Sequence, residues 1–398
     1  MKSPVLVLLL LIQLINANQD KNELDILLES KLNLEELIQS HGYQTEKHYL
    51  TTGDGYILTI FRIPWGINGK GSKDRKPVIL QHGLLDSSFG WVVNLPHQSL
   101  AYILADQGYD VWLMNFRGTT YSLNHTRFDS KKDKEYWQFS FDEMAEYDTP
   151  YLIDYVLEYT GASHVGLVGH SQGTLVSFLS FLKFPELAYK VSLFVGLGPV
   201  GNLTHMQNPI LKGLASLHFD GLLSFLGINQ FLPSPKLFRN QFINVCNICN
   251  GCCSTVIEML VGASHRQNST RVPLIAANDP SGTSMMNMNH FTQMYRSGVL
   301  RMYDYGAKEN KRHYGTSLPP LYDYALLPNN LNIVLYSADK DILTTPTDVD
   351  QLVQKLPHPT LKYWQIVENY SHVDFIWAID AHQLIYPTII EQLNEYLV

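Results

Sequence analysis

The chain has 398 residues, of which 45% are hydrophobic and 17% charged, so it can bury one large core or two smaller ones. Its formal net charge is −8, and it has no run of lysine and arginine. This composition argues against a nucleic-acid partner and against electrostatic docking on anionic lipid. Any contact with lipid would have to be apolar.

The N-terminus has the parts of a secretory signal peptide. Lys2 precedes an apolar run at residues 5–15, and Asn16-Ala17-Asn18 follows as a cleavage site near Ala17. The run is too short to span a bilayer, and no later stretch is long and apolar enough to do so. We therefore expect residues 1–17 to be removed, and the mature protein to be soluble in the secretory pathway, either secreted or lysosomal.

The glycosylation sequons and the cysteines are consistent with export through the secretory pathway. Three sequons, at Asn124, Asn202 and Asn268, are glycosylation candidates, and a fourth at Asn369 is the least favoured because it closely precedes a candidate catalytic residue. All four cysteines fall in one short loop, at positions 246, 249, 252 and 253. No histidine nearby completes a zinc site, and an exported chain favours disulfides, so we expect disulfide bonding and no metal. The spacing leaves all three pairings open.

Apolar strands alternate with amphipathic helices along most of the chain. The predicted strands are 46–52, 56–63, 77–81, 109–114, 165–168, 191–197, 332–337 and 361–367, and the predicted helices are 99–107, 140–159, 174–182, 346–356 and 381–396. This alternation predicts an α/β fold, with a mostly parallel sheet covered by helices on both faces.

The alternation lapses between residues 201 and 315. This segment is helix-rich, and leucine and phenylalanine crowd its first third, from Leu211 to Leu232. We interpret residues 201–315 as an insertion carried over the C-terminal edge of the sheet. The core would then comprise residues 18–200 and 316–398.

The pentapeptide Gly169-His170-Ser171-Gln172-Gly173 follows a buried strand and opens a helix. A serine at such a turn is forced into a strained backbone conformation, and flanking glycines remove Cβ atoms that would clash there. This strand–turn–helix context indicates that Ser171 is a nucleophile.

A serine nucleophile needs a base, and the base needs an acid to hold its tautomer. On a doubly wound sheet these residues follow the serine in the order acid, then histidine, each after a strand. Asp341 and His372 meet that requirement. Asp339 is a rival for the acid because it lies two residues away on the same loop, and Asp374, a second rival, is better explained as bracing for the loop of His372.

Two backbone N–H groups are expected to stabilise the oxyanion that forms during ester cleavage. One is that of Gln172, the residue after the nucleophile, at a helix N-terminus. The other is that of Leu84, in the loop after the strand at 77–81.

Many ordered stretches together resemble the acid lipase family, which includes gastric and lysosomal acid lipases and related insect lipases. They include Leu80-Gln81-His82-Gly83-Leu84-Leu85, Asn115-Phe116-Arg117-Gly118, the pentapeptide at 169–173, Pro280-Ser281-Gly282-Thr283-Ser284 and His372-Val373-Asp374-Phe375. The chain departs from the family's pattern at Gln44, where a proline is usual, and at Ala277-Asn278.

The resemblance implies an α/β-hydrolase fold, with Ser171 as nucleophile, Asp341 as acid, His372 as base, and Leu84 and Gln172 as oxyanion donors. It also implies that the insertion is a cap with a movable lid over an acyl-binding groove, and it best matches Cys246 and Cys253 to the family's disulfide pair. The function it implies is hydrolysis of fatty-acid esters at a lipid interface, without a cofactor, with triacylglycerol as substrate. The alternatives are another lipid ester such as cholesteryl ester, a serine peptidase on the same fold, and a non-catalytic lipid carrier.

Overall fold

A computed structural model describes residues 28–69, 74–216, 229–232, 255, 258–259, 261–264 and 266–397. The predicted signal peptide at 1–17 lies outside these residues, as do all four cysteines, including Cys246 and Cys253, and most of the leucine-rich stretch, from 217 to 228.

A nine-stranded sheet forms the centre of the molecule. Its strands are β1 (Glu46–Thr51), β2 (Tyr56–Ile63), β3 (Pro77–Gln81), β4 (Asp110–Leu113), β5 (Asn124–His125), β6 (Val165–His170), β7 (Val191–Leu197), β10 (Ile333–Ala338) and β11 (Leu361–Val367), while β8 (Gln230–Phe231) and β9 (Thr283–Ser284) form a separate antiparallel pair. The order is β1-β2-β4-β3-β6-β7-β10-β11, and β5 pairs with β2. Strands from β4 to β11 along this order run parallel, whereas β1 and β2 are antiparallel.

Helices lie between the strands. Those described are α1 (Leu34–Ser40), α2 (Leu100–Asp106), α3 (Phe141–Glu143), α4 (Thr149–Thr160), α5 (Gln172–Lys183), α6 (Pro209–Ser216), α7 (Val272–Asn278), α8 (Met285–Ser297), α9 (Ala307–Tyr314), α10 (Pro346–Lys355), α11 (Asp374–Trp377), α12 (Ala381–Leu384) and α13 (Tyr386–Tyr396).

Both faces of the sheet are buried, because successive strand residues point to opposite sides. In β3, Val78 and Leu80 belong to one apolar cluster and Ile79 to the other. The first cluster includes residues of α2 and α13, and the second includes residues of α4 and α5. The predicted α/β fold with a mostly parallel, doubly covered sheet is therefore confirmed.

Two predicted helices are interrupted, each near a proline. The helix expected over 140–159 opens with a capping box formed by Ser140 and Glu143, but it widens into a π-helix at Met144–Asp148 before α4. Pro150 has no N–H to donate to the carbonyl four residues back, so a continuous α-helix would lose a bond there. The helix expected over 381–396 breaks at Ile385 for a similar reason, because Pro387 fits best in the first turn of a new helix.

The described part of the predicted insertion shares a core with the sheet. Met206, Met294 and Leu300 are buried in the same apolar cluster as Leu167 of β6. The division into a core and a cap at residues 201 and 315 stays a prediction.

The strand order reverses direction at β3. From β3 the chain proceeds to β4 on one side, and β6 lies on the other. In open α/β sheets, ligands bind in the crevice at the carboxyl ends of the strands at such a point. The loops after β3 and β6 carry Leu84 and Ser171, so these two candidate residues lie at the place where a site is expected.

Candidate active site

Ser171 occupies the sharp turn between β6 and α5. Its backbone φ of 52° and ψ of −118° are unfavourable for a residue with a side chain. The flanking glycines are required by packing, since a Cβ on Gly169 would lie 2.8 Å from the carbonyl carbon of Gly173, and one on Gly173 would lie 2.5 Å from the carbonyl oxygen of Gln81. The turn thus holds the hydroxyl of Ser171 at the sheet edge.

His372 lies between Ser171 and Asp341. Its Nε2 is 2.7 Å from the Oγ of Ser171, and its Nδ1 is 2.7 Å from Oδ2 of Asp341. The order of these contacts sets the neutral tautomer, in which Nδ1–H donates to the carboxylate and Nε2 can accept the serine proton. The structure therefore brings together all three residues that the sequence singles out.

Further donors hold the carboxylate of Asp341 in place. Oδ1 accepts the N–H groups of Leu343 at 2.8 Å and Thr344 at 2.9 Å, and Oδ2 also accepts the hydroxyl of Thr344 at 2.6 Å. Because both oxygens are bonded within a buried loop, the carboxylate presents one fixed face to His372.

The two rival aspartates point elsewhere. Asp339 accepts the N–H of Tyr370 at 3.3 Å and lies 3.3 Å from the ammonium of Lys340. Asp374 accepts the N–H of Ser371 and the hydroxyl of Ser264, each at 2.6 Å. Asp374 thus braces the loop that carries His372, which is the part that the sequence suggested for it.

The loop after β3 lies directly against Ser171. A Cβ on Gly83 would be 3.1 Å from Cβ of Ser171, so a glycine permits this close approach. Residues 83–86 form a turn in which the N–H of Asp86 bonds to the carbonyl of Gly83 at 3.3 Å and Leu85 has a φ of 64°. The N–H of Asp86 closes this turn, so the turn does not use the N–H of Leu84. The N–H of Gln172, at the start of α5, has no acceptor within its own helix.

Two other histidines, His82 and His170, adjoin the site, and His82 contacts the loop after β3. Nδ1 of His82 lies 2.7 Å from the carbonyl oxygen of Gly83, and its Nε2 accepts the N–H of Phe116 at 3.1 Å. Burial lowers the pKa of His82 to about 4. This histidine is therefore neutral near pH 7 and fixes the loop of Leu84.

His170 links the nucleophile to the base. Its Nε2–H donates to the backbone carbonyl of His372 at 2.8 Å. Burial, with the charge of nearby His372 as a smaller effect, lowers the pKa of His170 to about 3. The chain order of acid, then histidine, excludes His170 as the base, but the sequence does not reveal this contact, because nothing in a sequence shows which backbone carbonyl a side chain will reach.

The described insertion reaches the residue next to the nucleophile. The side-chain amide of Asn287, in α8, donates to the side-chain oxygen of Gln172 at 2.7 Å. Ser284 caps α8 by accepting the N–H of Asn287 at 2.9 Å. The start of α8 is therefore attached to the start of α5.

The sequons differ in their surroundings. Asn124 is exposed in β5, Asn268 is half-buried at the start of a 3₁₀ turn, and Asn369 is exposed with a φ of 57°. Asn202 is 9% exposed, and its amide donates to the carbonyl of Gly298 at 2.7 Å. The structure thus argues against the prediction of a glycan at Asn202, because a sugar on this nitrogen would need space that neighbouring residues fill.

The described residues contain no group of three or more His, Cys, Asp or Glu side chains arranged to hold a metal ion. Over the same ranges, no helix has the length and apolar character needed to cross a bilayer.

The α/β-hydrolase class is defined by a mostly parallel sheet that carries a serine on a strained turn. The serine is hydrogen-bonded to a histidine, and the histidine is hydrogen-bonded to an aspartate. Two family models agree: one described as the α/β hydrolase fold matches residues 76–379, and one described as a partial α/β-hydrolase lipase region matches residues 34–95. The solved monoglyceride lipase of Saccharomyces cerevisiae has the same fold, with a TM-score of 0.56, 13% identity, and coverage of 89% of this chain and 94% of that one.

Relatives of known name are much closer in sequence. The chain is 40% identical to gastric triacylglycerol lipase of Bos taurus, and 38% identical to lysosomal acid lipase/cholesteryl ester hydrolase of Rattus norvegicus. Each match covers 92% of this chain and 92% of the relative. The chain therefore belongs to the acid lipase family of α/β hydrolases.

Proposed function

We propose that this protein is a serine lipase that hydrolyses carboxylic esters of fatty acids, with triacylglycerol as its main substrate. The observation that carries the proposal is the pair of 2.7 Å hydrogen bonds that joins Ser171, His372 and Asp341. A serine hydroxyl alone is a weak nucleophile, and this arrangement supplies the base and the fixed tautomer that activate it.

In the proposed mechanism, Oγ of Ser171 attacks the ester carbonyl carbon while Nε2 of His372 takes the hydroxyl proton. Asp341 stabilises the resulting imidazolium. The N–H groups of Leu84 and Gln172 donate to the negative oxygen of the tetrahedral intermediate. His372 then returns the proton to the leaving alcohol, which leaves an acyl group on Ser171, and a water molecule activated by the same histidine releases the fatty acid.

A second substrate, cholesteryl ester, is favoured by one specific observation. The relative from Rattus norvegicus carries cholesteryl ester hydrolase in its name, and its identity to this chain is close to that of the gastric lipase. A serine peptidase could use the same three residues, but it would need a polar pocket for a peptide terminus, which the apolar insertion does not favour. A non-catalytic carrier would have no need for the contacts around Ser171.

The proposal extends to location and architecture. A signal peptide at residues 1–17 would direct the chain into the secretory pathway, and the protein would be secreted or lysosomal, as the names of its relatives suggest. Residues 201–315 would form the cap through which lipid reaches Ser171 from an interface.

The test compares the wild-type protein with Ser171→Ala on emulsified triacylglycerol, cholesteryl ester and phospholipid between pH 4 and pH 9. We expect release of fatty acid from triacylglycerol by the wild type, and a loss on the order of a millionfold in the variant, because nucleophile and base act as a unit. Circular dichroism provides the control for folding. Retained activity in a folded Ser171→Ala protein would remove the mechanism, and a preference for cholesteryl ester would move the substrate to the second candidate.

A further inference from the structure

One segment of the predicted insertion lies against the loop that carries the histidine base. We call residues 369–373, between β11 and α11, the base loop, and the described residues of 261–267 the clamp segment. A Cβ on Gly262 would lie 3.4 Å from Cγ1 of Ile342 and 3.7 Å from Cβ of Ser371. The clamp segment therefore contacts both the loop that carries the acid and the loop that carries the base.

Ser264 reaches the residue before His372 through one carboxylate. Its hydroxyl donates to Oδ1 of Asp374 at 2.6 Å, and Oδ2 of the same carboxylate accepts the N–H of Ser371 at 2.6 Å. The N–H of Arg266 donates to the oxygen of Ser264 at 3.0 Å, which leaves the hydroxyl hydrogen for Asp374. Asp374 is fully buried, so its carboxylate has little room to turn. Ser264 thus fixes the carboxylate that holds the backbone immediately before the histidine.

Arg266 holds the other end of the base loop. Its Nε–H donates to the backbone carbonyl of Asn369 at 3.2 Å, and its guanidinium pairs with the carboxylate of Asp380. The guanidinium also lies 5.2 Å from the centre of the Tyr370 ring, and the hydroxyl of that ring donates to Asp380 at 2.8 Å. An aromatic ring attracts a cation placed over its face. These contacts hold the two residues at the start of the base loop.

Backbone contacts attach the clamp segment to the link between α11 and α12. The N–H of Ile379 donates to the carbonyl of Arg266 at 2.8 Å, and Gln267 forms an isolated antiparallel bridge with Ala378. At the other end of the segment, Val261 packs against the apolar cluster on one face of the sheet. The two side chains that reach the base loop are therefore carried by a main chain that is itself anchored to the core.

We propose that Ser264 and Arg266 are positioning residues for His372, so that the insertion contributes to catalysis by holding the base in place. The inference rests on the proposed function, since it assigns these residues a task in the hydrolysis. His372 must face Asp341 and Ser171 at the same time, and a displacement of about 1 Å can cost on the order of a hundredfold in rate. The two residues act through the backbone ahead of the histidine, which the clamp segment holds at two points.

The kinetic test compares Ser264→Ala and Arg266→Gln with the wild type on a dissolved short-chain ester, p-nitrophenyl butyrate. We expect each variant to lower kcat about tenfold with KM little changed, because a displaced base weakens proton transfer in the transition state. Ser264→Thr keeps a hydroxyl on the same carbon and should restore most of the rate. Ser297→Ala is the matched control, because this exposed serine of the insertion bonds within its own turn, and it should behave as the wild type.

A double-mutant cycle tests whether Ser264 acts through Asp374. An amide has one acceptor oxygen, so the side chain of Asp374→Asn cannot accept from both Ser264 and Ser371. The route from Ser264 to the base loop is then already cut, and Ser264→Ala should cost less than about threefold in this background, against about tenfold in the wild type. Equal costs in the two backgrounds would contradict the route through Asp374.

A second measurement needs no hydrolysis, so it separates this inference from the proposed function. The proton between Nδ1 of His372 and Asp341 should give a downfield resonance in the proton NMR spectrum, assigned by its loss in His372→Gln. We expect this resonance to shift or broaden in Ser264→Ala and to stay unchanged in Ser297→Ala, with circular dichroism as the control for folding.

Arg266→Gln keeps the test open if Ser264→Ala does not fold, because the arginine side chain is partly exposed. An unchanged resonance and a wild-type kcat in the folded variants overturn the inference even if Ser171 proves to be the nucleophile. A lower kcat that Ser264→Thr does not restore also overturns it, since the hydroxyl would then not be the group that acts.

Discussion

His170 donates a hydrogen bond of 2.8 Å from Nε2 to the backbone carbonyl of His372. The residue immediately before Ser171 thus holds the main chain of the residue whose ring contacts Ser171. This bond therefore connects the end of β6, which carries the nucleophile, to the loop after β11, which carries the base.

From the hydrogen bond between His170 and His372 we predict that His170→Leu lowers kcat by about tenfold to a hundredfold, with KM little changed. Leucine fills a similar space but leaves the carbonyl of His372 without its donor, and an unbonded buried group costs about 1–3 kcal/mol. His170→Gln places an amide donor near the position of Nε2 and should restore most of the rate. The pKa of His170 is about 3, so His170 is neutral from pH 4 to pH 9, and replacing it should leave the shape of the pH profile unchanged in both variants. A changed pH profile in the leucine variant, or no rescue by glutamine, would contradict the positioning role.

Asp341 and Asp339 provide a paired test of the acid. We expect Asp341→Asn to lower kcat roughly ten-thousandfold, because an amide that donates to Nδ1 holds the wrong tautomer against Ser171. Asp339→Asn is the matched control on the same loop and should lose less than about tenfold, since its contacts are to Tyr370 and Lys340. Rates on a dissolved ester decide between them, and the reverse ranking would transfer the role to Asp339.

The sequence predicted those parts of the site that depend on local backbone geometry. Ser171 could be recognised because the clashes that Gly169 and Gly173 avoid involve residues next to the turn or on the adjoining strand. Local sequence alone does not separate Asp341 from Asp339, since both follow β10 and only the direction of the side chain distinguishes them.

Other parts of the site could not be predicted in this way, because they depend on contacts between segments that are far apart in the chain. The bond from His170 to His372 spans 202 residues. The bond from Asn287 to Gln172 spans 115 residues. Neither contact changes the local pattern of apolar and polar residues, which is the signal that sequence analysis uses.

Glycosylation should follow exposure of the sequons. We predict high occupancy at Asn124 and Asn268, and low occupancy at Asn202, where the amide is buried and bonded to Gly298. Asn369 is exposed, but it lies three residues before His372, so a glycan there would crowd the site, and we predict low occupancy. Glycopeptide mass spectrometry of active, secreted protein checks all four positions. Full occupancy at Asn202 would show that the Gly298 contact forms differently in the glycosylated chain.

The last prediction concerns activation at a lipid interface. Among the described residues of the predicted leucine-rich lid, Leu211 is half-buried, whereas Leu232 is 41% exposed at the end of β8 and has a left-handed φ of 47°. β8 pairs with β9, which leads directly into α8, the helix that contacts Gln172. A movement of this pair at a lipid surface would therefore be transmitted to the residue beside the nucleophile.

We expect slow cleavage of a dissolved short-chain ester, followed by a jump in rate once the substrate forms droplets, because the apolar lid gains about 25 cal/mol for each Å² that it buries in lipid. Leu232→Asp should reduce the jump several-fold and leave the rate on the dissolved ester unchanged. The matched control is Leu326→Asp, a more exposed leucine outside residues 201–315, which should keep the jump. In all three proteins the rate could instead rise smoothly through the solubility limit. That result would mean that the apolar residues stay buried in the cap, since only a surface that turns outward is stabilised when the droplets appear.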